Sequence, residues 1–104
     1  MAEGVGFLEV YGLTAAFVAA DAACKATNVK IDAFDHNKPV NAEKLPVPLL
    51  VLVKIRGNIE DVKAAMEAGS EAAKKVSGVV TTHVIARPEM DTEKLLKINS
   101  LIKK

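Results

Sequence analysis

The stretch that decides the fold is Val5–Thr27, VGFLEVYGLTAAFVAADAACKAT. Val5 to Tyr11 is rich in β-branched and aromatic residues and reads as a strand. Gly12 punctuates it. Leu13 to Thr27 then reads as a helix, with Leu13, Phe17, Ala20 and Cys24 on one apolar stripe. Asp21 and Lys25 stand four apart, in the order that favours a helix. Asn28 suits a left-handed exit from it. Val29 to Phe34 follows as a half-buried strand, with Val29, Ile31 and Ala33 alternating against Lys30 and Asp32.

The second half has the same plan without detectable sequence identity to the first. Asp35 to Pro46 is a polar connection carrying Pro39 and Pro46, and loops of about 12 residues are uncommon unless they serve a function. Pro48 to Ile55 is a near-continuous Leu/Val run, as expected of a central strand buried on both faces. Arg56-Gly57 ends it. Asn58 caps a second helix, with Glu60 and Asp61 in its first turn where the helix dipole favours negative charge. Val62, Ala65/Met66, Gly69 and Ala72/Ala73 form its apolar stripe. Lys74, Lys75 and Gly78 suit its C-terminal end. Val79 to Ala86 reads as a fourth strand, stopped by Pro88. Asp91 caps a short last helix with Leu95, Leu96, Ile98, Leu101 and Ile102 on its apolar side.

This order predicts an α+β fold of the ferredoxin-like split βαβ type, a four-stranded antiparallel sheet with helices on one face. The expected division is one domain over residues 4–90 and a C-terminal helical extension over 91–104.

Composition bounds the function. The chain has 104 residues, 14 Lys plus Arg against 13 Asp plus Glu, and a net charge of +1. So even a balance argues against a general nucleic-acid binder, which needs a basic stripe. Counting glycine and omitting tyrosine, about 55% of residues are apolar, against roughly 45–50% in a typical domain. Aromatics are only 4%, so Ala and Val make up the surplus. A small domain cannot hide all of it, and apolar surface shared between subunits is expected. No basic leader and no run of about 20 apolar residues is present, so a soluble intracellular protein with no membrane partner is expected.

No catalytic constellation emerges. His36 and His83 lie in different elements, and no pair of Cys or His stands at metal-ligand spacing. Cys24, on the helix stripe, is expected to be a buried inert thiol, and His83 a hydrogen-bonded structural histidine. Ser70, Ser77 and Ser100 sit on helices or helix ends, away from any triad. The expectation is therefore no enzyme, no catalytic residue, no metal and no cofactor.

Several motifs carry a resemblance. Gly6 to Ala16, GFLEVYGLTAA, is similar to the opening of hexameric bacterial microcompartment shell proteins, the BMC domain. Ala20-Asp21-Ala22 and Lys25-Ala26-Thr27-Asn28-Val29 continue it. Arg56-Gly57, Val62 to Ala65, Glu67 to Gly69, and His83 to Pro88 resemble the second half in the family's order. The resemblance implies flat homohexamers that tile edge to edge, alongside other shell proteins, into the facets of a cytoplasmic organelle, with a central pore for small metabolites. It implies that Lys25 lies antiparallel to its mate across the seam between hexamers, with Asn28 and Arg87 hydrogen-bonding beside it. Lys25 as a simple helix partner of Asp21 is the plainer alternative.

One departure stands out. Common members carry a short Gly-Ser-Gly-type pore loop between the second and third strands, and here the longer Asp35–Pro46 segment takes that place. It resembles shell proteins of glycyl-radical-enzyme compartments, such as choline-utilising ones. His36, Asn37, Lys38 and Pro39 are expected near the pore. A six-fold axis would turn Lys38 into a ring of cations that attracts anions, and His36 would make that ring respond to pH. The last helix is expected to pack on its own subunit or to dock cargo-targeting helices. The competing function is a ferredoxin-like regulatory oligomer that binds a small molecule between subunits.

Overall fold

A computed structural model of the chain describes residues 3–37, 49–89 and 92. Their order is β1 (Gly4–Tyr11), α1 (Leu13–Ala26), β2 (Lys30–Asn37), β3 (Leu50–Gly57), α2 (Ile59–Val76) and β4 (Val79–Ile85). The four strands form one sheet in the order β2-β3-β1-β4, and every pairing is antiparallel. This is the ferredoxin-like α+β arrangement expected from the element order. The terminal helix expected from Asp91 lies outside the described residues, save Thr92.

Leu8 and Val10 of β1 and Val51, Val53 and Ile55 of β3 turn to the helices, where they meet Ala15, Ala16, Ala19, Ala23, Val62, Ala65 and Met66. The alanines explain the close packing, since a side chain of one carbon lets α1 lie against the sheet and against α2. Gly6 belongs to the same face. A Cβ there would come 2.6 Å from Met66 Sδ and 3.0 Å from a Val62 methyl. Gly6→Val is therefore expected to lower stability by about 1–3 kcal/mol, read as a lower denaturant midpoint at unchanged slope.

The elements begin and end as their residues dictate. Gly12 takes φ 91°, a left-handed value that a side chain disfavours, and turns the chain from β1 into α1. Asn58 caps α2, its Oδ1 accepting from Asp61 N at 2.9 Å while its Nδ2 donates to the Asp61 carboxylate at 2.8 Å. Ser77 Oγ donates to the Tyr11 carbonyl at 2.6 Å and ties the end of α2 to the end of β1.

Three local expectations need correction. The stripe on α1 is the wrong one. Ala15, Ala16, Ala19, Ala20 and Ala23 are buried, whereas Leu13, Phe17 and Val18 are exposed at 39%, 58% and 39%. Cys24 follows the outward side and is exposed rather than buried. His83 stands exposed on the edge strand β4 rather than as a bonded core histidine. The physical reason is shared: among the described residues these faces stay largely uncovered, the contact of Phe34 with Phe17 apart.

The end of β2 is the third correction. Asp35, His36 and Asn37 were expected to open a loop, but they continue the strand and pair with Leu52, Val51 and Leu50 of β3. The register shifts between Ile31 and Ala33, so Asp32 is a bulge and the simple alternation breaks there. Ile31 and Phe34 pack against the core, and Ala33 turns to the opposite face of the sheet, where it is still buried.

Candidate functional site

The candidate residues divide between the two ends of the sheet. β1 and β2 begin, and β3 and β4 finish, at one end. Lys25, Asn28 and Arg87 all lie there.

Lys25 occupies the last turn of α1 with its side chain exposed, and Nζ meets Asp21 Oδ2 at 2.9 Å. The hydrogen bond and charge of Asp21 raise the ammonium's pKa above its ordinary value. Lys25 therefore carries a full positive charge at neutral pH. Below it, Thr27 Oγ1 donates to the Asp61 carbonyl at 2.9 Å, fastening this corner to the first turn of α2. Gly57 matters here. A Cβ on it would lie 2.9 Å from a Val29 methyl and 3.3 Å from the Asn28 carbonyl, so the absent side chain lets the turn close over the end of β3. Asn28 is exposed on that turn. A polar cleft of about 270 Å³ opens beside it, lined by Glu3, Asn28, Val29, Lys30, Arg56 and Gly57.

Arg87 follows β4 at the other corner of the same end and is exposed. The strand order separates β2 from β4 by three spacings of roughly 4.8 Å, about 14 Å in all. Lys25 and Asn28 thus share one corner, and Arg87 stands at the far one.

His36 and Asn37 lie at the opposite end of β2. An eight-residue strand at about 3.3 Å per residue puts them more than 20 Å from Asn28. His36 is half-buried and, opposite Val51, lies on the helix side of the sheet. Lys38 and Pro39 lie outside the described residues.

Two features escaped sequence reading. Lys54 and Arg56, in the apolar run of β3, are only 4% and 8% exposed. They lie on the sheet face away from the core cluster. Lys54 Nζ meets Asp35 Oδ2 at 2.6 Å, and Arg56 stands 3.6 Å from Asp32 and 3.7 Å from Glu3. A basic residue inside a strand read as buried on both faces was the available signal. The other feature is the apolar exterior of α1. Phe17 packs at 5.0 Å, tilted 59°, on Phe34 of β2, and Leu13 and Val18 of the same helix are exposed as well.

Among the described residues, no group of three His, Cys, Asp or Glu side chains is placed to hold a metal ion. The described residues present a charged, hydrogen-bonding end and an apolar helix flank.

The BMC domain family profile matches residues 4–88. Over 94 residues the chain is 43% identical to the bacterial microcompartment shell protein PduA of Citrobacter freundii, covering 90% of this chain and 91% of the relative. It is 37% identical to the carboxysome shell protein CcmK1 of Thermosynechococcus vestitus, covering 94% of this chain and 80% of the other. The shell protein EutM of Salmonella typhimurium is 34% identical, over 93% and 92% of the two chains. The fold matches the crystal structure of a microcompartments protein from Desulfitobacterium hafniense with a TM-score of 0.71 at 24% identity, over 93% of this chain and 48% of that one.

Proposed function

The chain belongs to the BMC domain family, and from that premise we propose that it is a structural tile of a bacterial microcompartment shell. Six copies close into a flat ring, and rings meet edge to edge with copies of themselves and with other shell proteins. The observation that carries this reading is the match to the shell protein PduA, which covers 90% of this chain and 91% of that one. The exposed Leu13, Phe17 and Val18 support it, because closing a ring gives that surface somewhere to go. They also give the compositional surplus a location.

In this reading residues 4–90 are the tile and 91–104 an extension from it. The end holding Lys25, Asn28 and Arg87 is the outer edge of the ring. A seam between identical rings is isologous, so each edge residue faces its own symmetry mate. A lysine can lie flat along such a seam and donate to carbonyls, and arginine adds a planar fork of donors. The opposite end, with His36, Asn37, Lys38 and Pro39, then faces the six-fold axis and lines a pore for small metabolites.

Light scattering on the purified protein tests the ring. A mass near six times 11.0 kDa is expected. A discrete trimer whose stability depends on a small ligand would point instead to a regulatory oligomer. Passage through reconstituted shells tests the pore. Lys38→Ala is expected to slow small anions several-fold, and His36→Ala to alter their passage. Unchanged passage in both variants would remove these residues from the pore.

A further inference from the structure

We propose that Lys54 is a positioning residue: through Asp35 it holds the end of β2 in register, and so sets where His36 and Asn37 stand.

Among the described residues β2 is an edge strand and pairs with β3 alone. Its register rests on that one ladder and on the side chains across it. A one-residue slip would carry every β2 side chain to the opposite face of the sheet. Most of the sequence of β2 resists such a slip only weakly, because Ile31, Ala33 and Phe34 are small or apolar on both faces.

The charges resist it strongly. Lys54 and Arg56 are two apart on β3 and share one face, and both are buried. Their partners on β2, Asp35 and Asp32, are three apart, an odd spacing that would place them on opposite faces of a regular strand. The bulge at Asp32 removes that conflict. With the extra residue, Asp35 stands diagonally from Lys54 with Nζ 2.6 Å from Oδ2, and Asp32 reaches Arg56 at 3.6 Å. Bulge and ion pairs thus form one device. Slipping β2 by one residue would move Asp35 to the core side and leave a buried ammonium without that carboxylate, which is costly at low dielectric.

Asp35 directly precedes His36 and Asn37. The register it imposes sets His36 opposite Val51 and Asn37 opposite Leu50. The consequence for passage rests on the pore reading above, whereas the placement of the strand end does not.

Hydrogen–deuterium exchange on the assembled full-length protein tests the proposal. In Lys54→Met, amides of residues 33–37 are expected to exchange on the order of tenfold faster, while those of α2 and β1 stay near wild type. Asp35→Asn keeps the size of the side chain and is expected to show the same local pattern more weakly. The charge exchange Lys54→Asp with Asp35→Lys is expected to regain much of the protection. Wild-type exchange over 33–37 in both single variants would overturn the proposal. So would uniformly faster exchange throughout the chain, which marks a general loss of stability rather than positioning. Passage of small anions through reconstituted shells, measured on the same variants, separates the two readings. Faster local exchange with unchanged passage upholds the positioning role and overturns the pore assignment. Faster exchange with altered passage supports both.

Discussion

Lys25→Asp is expected to abolish edge-to-edge assembly while leaving the six-membered ring and the fold intact. The residue is exposed on the last turn of α1, so no core contact is lost. Among the described residues it pairs with Asp21, and the substitution replaces that attraction with repulsion four residues apart. The net charge of each chain turns from +1 to −1. At the isologous seam proposed above the effect would double, because two new carboxylates would face each other in place of two long donors. Every ring has several such seams, so a modest loss at each becomes a large loss for an extended sheet. Sedimentation of assembled material gives the result directly: the wild type pellets, and the variant stays in solution at the mass of a single ring. Lys25→Ala removes the donor without adding charge and should weaken assembly less. Sheets as extensive as wild type in both variants would take Lys25 off the seam.

Phe17→Asp should dissociate the ring itself. Phe17 is 58% exposed in the single chain, with Leu13 and Val18 beside it. Burying the remaining area of a phenylalanine contributes on the order of 1 kcal/mol per interface, and placing a carboxylate there adds a desolvation cost of several more. A closed ring repeats that interface at every junction, so the penalties accumulate together. The fold itself should survive, because the Ala15–Ala23 face that packs on the sheet is untouched. The expected outcome is a monomer by light scattering with an unchanged circular dichroism spectrum. A ring of wild-type mass would place the α1 flank outside the subunit interface.

The two substitutions also show what the sequence made legible. Strand, glycine, alanine-rich helix and strand could be read directly, because Gly12 and Asn58 are local signals that act within a few residues of themselves. That Lys25, Asn28 and Arg87 lie at one end of the sheet was legible too, since they sit in motifs that bracket strand ends. The orientation of α1 was not. Helical periodicity selected the larger side chains for the core, but a helix packed closely on a sheet takes alanine inward, and Phe17 faces out. Where β2 ends was hidden for a different reason. Asp35, His36 and Asn37 are residue types that favour turns, and only the partner strand shows that Asp35 has a buried lysine to meet. A bulge such as that at Asp32 is a property of two strands together, so one strand's alternation cannot show it.

Electron microscopy of the purified protein at rising concentration decides whether this chain is a shell tile. Flat sheets in which six-fold rings repeat on a hexagonal lattice are expected. Discrete particles without six-fold symmetry, forming no array at any concentration, would contradict that role.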